Sequence, residues 1–161
     1  MVPHVPARMD EDCHPRGVGR PPTLRLMTRF VIDACTLLHL VDEQVAVHPD
    51  HQLVAPNSIR AEAMNLLLSE VRRGARDERE ALERHERMTE VRMRLLGDRV
   101  SRRTAWQIAR QHDWGELRDA EYLAVTRLQA DALVTLDPEL ASKAEGVVRV
   151  GAIQDLIEAE Q

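Results

Sequence analysis

Asp33 closes the apolar run Phe30-Val31-Ile32, and Asp137 closes Ala132-Leu133-Val134-Thr135-Leu136. Glu62 and Asp119 each fall near the start of a helix that the surrounding pattern predicts. A carboxylate at the end of a buried strand is costly to desolvate unless something pairs with it. Several such acids on one edge of a sheet repel one another, so a bound divalent cation is their natural partner. A cation held this way activates a water and relieves charge on the leaving oxygen of a phosphodiester, with no covalent nucleophile needed. The four acids therefore point to a metal-dependent phosphodiesterase. Mg²⁺ is the expected ion, because it takes oxygen ligands at about 2.0–2.1 Å and keeps several waters. Thr135, two residues before Asp137, lies on the same strand face. Its hydroxyl is expected to hydrogen-bond a ligand carboxylate or a metal-bound water. Each acid alone is equally readable as a helix cap or a first-turn acid matched to the helix dipole. The set is more specific than its members, because all four fit one order of strands and helices.

The elements that must position these acids alternate from residue 29 onward. Strands are predicted over 29–33, 53–55, 132–136 and 147–150, with a short one at Arg99-Val100. Helices are predicted over 35–42, from Pro56 or Asn57 to Gly74, over 77–96, over 102–112 with Ser101 as cap, over 118–129, from Pro138, and over 151–159. Alternating βα units imply a parallel sheet covered by helices on both faces. Ligands in such sheets bind outside the carboxyl ends of the strands, where Asp33 and Asp137 stand. The charge run of the 77–96 helix reads as a solvated face with i,i+4 pairs. Glu121, two residues from Asp119, is a further acid of interest, but that spacing turns it away from Asp119 on a helix.

A chain of 161 residues suits one domain with a proper core. Residues 1–26 hold five of the eight prolines and show no hydrophobic period. They are expected to form a flexible extension, dispensable for folding and cleavage, ahead of a domain over 27–161. Aromatic residues are scarce (Phe30, Trp106, Trp114 and Tyr122), which argues against a base-stacking single-strand platform. Trp106 and Tyr122 are expected in the core, and Trp114 marks a turn. The net charge of −5 leaves nucleic-acid binding to local arginine patches and metal. Two cysteines make no disulfide framework, and the expected setting is reducing and cytoplasmic. No stretch approaches the roughly 18 apolar residues of a membrane span, and no secretory signal is read.

Four segments carry a resemblance: Phe30-Val31-Ile32-Asp33-Ala34, Ile59-Arg60-Ala61-Glu62, Arg118-Asp119-Ala120-Glu121-Tyr122-Leu123-Ala124, and Leu133-Val134-Thr135-Leu136-Asp137-Pro138-Glu139-Leu140. Over roughly residues 29–158 the chain resembles PIN domains, most of all the VapC-type toxin ribonucleases of bacterial toxin–antitoxin pairs. The resemblance implies a three-layer α/β/α PIN-like fold with a central parallel sheet. It implies Mg²⁺ or Mn²⁺ held by Asp33, Glu62, Asp119 and Asp137, an RNA substrate, a small antitoxin partner and a homodimer. One position departs from the family, which often has Ser, Thr or Asn two residues after the first acid. Here that residue is Cys35, with Thr36 following. The expected function is a Mg²⁺-dependent endoribonuclease, the toxin of such a pair. The alternatives are a PIN-fold nuclease of RNA maturation or decay without an antitoxin, and a non-catalytic PIN-fold RNA-binding module. Leu66, Leu67, Leu68 and Val71, with Leu82, Met88, Met93 and Leu95, either form a groove for a partner helix or simply pack the two helices together or make the homodimer contact.

Overall fold

The computed structural model describes residues 27–158, so the 1–26 extension lies outside the described residues. Five parallel strands form the sheet: β1 (Thr28–Ile32), β2 (His51–Pro56), β3 (Arg94–Leu96), β4 (Ala132–Val134) and β5 (Val150–Gly151), in the order β3-β2-β1-β4-β5. Six α-helices connect them: α1 (Ala34–Asp42), α2 (Ile59–Arg72), α3 (Glu78–Glu90), α4 (Arg99–Gln111), α5 (Arg118–Gln129) and α6 (Pro138–Ala144). The architecture is the three-layer α/β/α arrangement with a parallel centre.

The apolar runs explain the centre of the sheet. Phe30-Val31-Ile32 and Ala132-Leu133-Val134 are buried throughout, as strands covered on both faces must be. They pair directly, with Phe30 opposite Ala132 and Ile32 opposite Val134. The chain lays β2 and β3 on one side of β1, then crosses back to lay β4 and β5 on the other. β1 and β4 therefore flank the point where the winding reverses, the place such sheets use for ligands. α5 lies against β1, β2 and β4 and packs on α4, while α1, α2 and α3 pack together.

Several boundaries differ from the sequence expectation. The predicted 77–96 helix stops at Glu90, and Arg94-Leu95-Leu96 becomes the edge strand β3. Pairing with Val54, Ala55 and Pro56 outweighs the helix propensity of these residues, because the outer edge of β2 has backbone groups to satisfy. Arg99-Val100 is no strand but the first turn of α4, since Asp98 rather than Ser101 caps that helix, accepting from Ser101 N at 2.7 Å. The final strand is only Val150–Gly151, and the predicted last helix is a 3₁₀ turn, Ile153–Leu156.

Two side chains also contradict their expected settings. Trp106 is 59% exposed, because the buried stripe of α4 runs through Ser101, Ala105, Ile108 and Ala109 and leaves Trp106 off it. On α3 the run of charges is not uniformly solvated. Arg79–Glu83 is the expected i,i+4 pair, but Arg84 is 3% exposed and buried against Asp42 of α1 and Glu70 of α2.

Candidate active site

The turn after β1 is built by Asp33 acting as N-cap of α1, its Oδ1 accepting from Thr36 N at 3.0 Å. The turn after β4 is built the same way. Asp137 caps α6 through Glu139 N at 2.9 Å, with Pro138 supplying the first helical position. Thr36 locks the two turns together. Its buried hydroxyl donates to Val134 O at 3.3 Å and accepts from Leu136 N at 3.1 Å. Thr135 completes the bridge, donating from Oγ1 to Asp33 Oδ2 at 2.8 Å while accepting from Asp137 N at 3.0 Å. The capping and metal-binding readings of Asp33 and Asp137 are compatible, because a carboxylate offers about four lone-pair sites, of which the cap takes one and, on Asp33, Thr135 takes a second.

The other two acids come from helices. Glu62 lies in the first turn of α2, and its Oε2 accepts from Tyr122 Oη at 2.8 Å. Asp119 lies in the first turn of α5 and is buried. Both of its oxygens meet cations: Lys143 Nζ of α6 at 2.6 Å from Oδ2, and Arg118 Nε at 3.4 Å from Oδ1. Lys143 has two further neighbours, Glu139 Oε1 at 3.0 Å and the Trp114 ring at 5.4 Å.

One cleft of about 180 Å³ brings the four acids together, lined also by Cys35, Arg118 and Tyr122. Burial raises the Asp33 pKa above the ordinary carboxylate value; hydrogen bonds from Thr36 and Thr135 oppose the shift, and the neighbouring Asp137 charge adds to it. Burial likewise raises Glu62, against hydrogen bonds from Ser58 and Tyr122. The Cys35 thiol is pushed up to about 11 by burial and then by Asp33 and Asp137. That shift argues against a thiolate nucleophile. Among the described residues, no group of three or more His, Cys, Asp or Glu side chains is gathered tightly enough to hold a metal ion as it stands. The donor set nevertheless suits a hard cation. It offers oxygen ligands only, two of them on carboxylates whose charge is destabilised by burial, in a cleft that already attracts an ammonium and a guanidinium.

Sequence reasoning assigned no role to Lys143 or the Arg118 side chain, and placed Tyr122 only in the core. The contact of Tyr122 with the site was findable, because position i+3 from Asp119 shares a helix face with it. Glu121 turns away as its spacing requires and accepts from Ser58 Oγ at 3.3 Å in a neighbouring cavity.

Comparison with known proteins agrees with the architecture. No protein-family model and no curated protein matches the chain. Among solved structures, PAE2754 from Pyrobaculum aerophilum superposes with a TM-score of 0.58 at 22% identity, covering 81% of this chain and 94% of that one. VapBC-1 from nontypeable Haemophilus influenzae superposes with a TM-score of 0.53 at 16% identity, covering 78% of this chain and 98% of that one. At these identities the likeness defines the fold, which is a VapC-like PIN-domain fold. No helix among the described residues is long and apolar enough to cross a membrane.

Proposed function

We propose that this protein is a Mg²⁺-dependent endoribonuclease, with Mn²⁺ as an alternative ion, acting as the toxin of a toxin–antitoxin pair. The observation that carries the reading is the convergence of Asp33, Glu62, Asp119 and Asp137, from four different parts of the fold, on one cleft at the reversal point of the sheet. The likeness to VapBC-1 supports the same reading at the level of fold. Inducing the intact gene in a bacterial host tests the toxin role. Growth arrest with loss of intact RNA is expected, and uninterrupted growth at high expression would favour a nuclease without an antitoxin.

Asp33, Glu62, Asp119 and Asp137 would hold the cation. When bound, it supplies an activated water and charge relief at the leaving oxygen. The chain's own residues do the rest. Thr135 fixes the Asp33 carboxylate and Tyr122 fixes that of Glu62, so each acid is already oriented within the cleft. Arg118, whose side chain is 55% exposed, is placed to take a substrate phosphate through charge-assisted hydrogen bonds.

Asp119 must exchange Lys143 to become a metal ligand. Lys143 has somewhere to go, since Glu139 already contacts it. Its position near Trp114 makes the exchange visible. Titrating Mg²⁺ into Trp106→Phe protein, which leaves Trp114 as the only tryptophan, should shift its emission. The same titration in a Lys143→Met variant should give tighter Mg²⁺ binding and little emission change. Equal affinity and equal response in both proteins would contradict the exchange.

The expected partner groove needs revision. Leu67 and Met88 are fully buried and belong to the core, whereas Leu66, Leu68 and Leu82 are exposed. A cleft of about 500 Å³ between α1 and α2, lined by Leu38, His39, Leu66, Arg73 and Leu136, shares Cys35 and Leu66 with the acid cleft. An antitoxin helix seated there would reach the acids directly. Leu66→Asp should reduce co-purification with the product of an adjacent small gene at least tenfold without lowering the melting temperature. Leu67→Asp should unfold the protein instead. Undiminished co-purification of the Leu66→Asp protein would remove this groove from consideration.

A further inference from the structure

A second cavity adjoins the acid cleft and has no part in holding a cation. It measures about 170 Å³ and opens between the ends of β2 and β3 and helices α4 and α5. Its apolar lining is Pro56, Leu96 and Val125, and its polar side chains are Asn57, Ser58, Ser101, Arg102 and Glu121. Ser58 links the two sites: its hydroxyl donates to Glu121 at 3.3 Å, and it lies close enough to Glu62, an acid of the neighbouring cleft, to donate there instead. Gly97 makes room for the Asn57 side chain. A Cβ there would lie 2.3 Å from Asn57 Nδ2, so any larger residue would push the amide aside.

The volume is well below the roughly 300 Å³ at which drug-sized pockets begin, and suits one flat ring system. The polar set is selective. A carboxylate accepts from adjacent N–H donors, and a guanidinium donates in a fork to paired acceptors. Guanine presents both faces: N1–H and N2–H as donors, O6 and N7 as acceptors. Adenine lacks the N1–H donor, and uracil lacks the fork of acceptors. Asp98 caps α4 and accepts from Arg102 Nε at 3.3 Å through its carbonyl, but Arg99, Arg102 and Arg103 are all exposed on that helix and outnumber it. They supply positive charge for the backbone of the strand entering the cavity.

We infer that this cavity is a base-reading subsite that takes an unpaired guanine next to the phosphodiester cut in the acid cleft. Glu121 accepts from the Watson–Crick edge of the base, Arg102 donates to the opposite acceptors, and Asn57 closes the rim. The inference rests on the endoribonuclease reading for its cutting step, but binding tests it without cleavage.

The experiment measures fluorescence anisotropy of labelled eight-residue oligouridylates carrying one central G, A, C or U, in EDTA so that no RNA is cut. The G-containing RNA should bind about tenfold tighter than the all-U RNA, the discrimination of one good bidentate base contact. Glu121→Gln should erase that preference, so that the G-containing and all-U RNAs bind this variant equally. Gly97→Ala, which displaces only a flexible amide, should reduce it several-fold in a protein with an unchanged melting temperature. Equal binding of the four RNAs, a preference for another base, or a guanine preference that survives Glu121→Gln would each overturn the subsite. Mg²⁺-dependent cleavage of RNA by the same wild-type sample reports separately on the nuclease reading, so the two can fail independently.

Discussion

Asp33→Asn should lower metal-dependent RNA cleavage by a hundredfold or more, since even supporting residues of metal sites typically account for about 10–100-fold. The apo fold should survive. Asparagine caps helices about as well as aspartate, so the bond to Thr36 N at the start of α1 persists. Apo stability should rise slightly. Burial raises the Asp33 pKa, so between the ordinary carboxylate value and the raised one the folded state binds more protons than the unfolded state. Stability therefore falls as pH rises through that window, and the loss is complete once the folded-state carboxyl has ionised. The amide does not titrate, so the substitution removes this dependence. Melts in EDTA from pH 3.5 to 7.5 should show a flatter profile for the variant, with its advantage largest at the upper end. Asp33→Ala is the control, because it loses the cap as well and should drop by about 1 kcal/mol relative to the Asp33→Asn protein. A lower melting temperature for Asp33→Asn near neutral pH would contradict the picture of a destabilised acid.

The largest effect on folding is expected at Arg84. Its guanidinium spans Asp42 and Glu70, donating from Nε to Asp42 Oδ1 at 2.7 Å, from Nη1 to Glu70 Oε2 at 2.7 Å, and from Nη2 to Asp42 Oδ2. Arg76 adds a second cation to Glu70 at 2.9 Å. One buried side chain thus pins α3 to α1 and α2. Removing one partner of a buried ion pair costs about 3–5 kcal/mol, because the remaining charges lose their compensation. Asp42 and Glu70 keep 30% and 24% of their side-chain surface exposed, which places the expected loss at the lower end, about 3 kcal/mol. Denaturant melts of Arg84→Ala check this. Arg84→Met combined with Asp42→Asn and Glu70→Gln should recover much of the loss, since the uncompensated carboxylates are then gone. A triple variant no more stable than Arg84→Ala would mean that charge compensation is not what holds α3 in place.

The parts of the fold that burial dictates were legible from sequence. β1 and β4 are apolar runs; Asp33 directly follows β1, whereas β4 stops at Val134, two residues short of the expected end, because Thr135 and Leu136 form the turn that leads to Asp137. α5 was legible to the residue, because Arg118–Gln129 is bounded by a turn and by the start of β4. The parts set by long-range pairing were not. Arg94-Leu95-Leu96 carries no alternation and no β-branched residue, and only the presence of β2 beside it makes it a strand. Arg84 looks like any charge on a polar helix until α1 and α2 bring Asp42 and Glu70 to it. Lys143 reaches Asp119 from 24 residues away, across a helix and a strand, and nothing local marks it. The start of α4 was misplaced by three residues, because Ser101 has the hydroxyl of a good cap but Asp98 is the residue that caps the helix.

The most direct measurement follows a fluorophore-labelled single-stranded RNA incubated with purified protein in Mg²⁺, in EDTA, and in EDTA followed by excess Mg²⁺. The account predicts internal cleavage with Mg²⁺, none with EDTA, full recovery on re-addition, and at most a hundredth of the wild-type rate for Asp33→Asn. Cleavage that persists in EDTA, or survives in Asp33→Asn at the wild-type rate, would contradict a metal-dependent centre at the four acids.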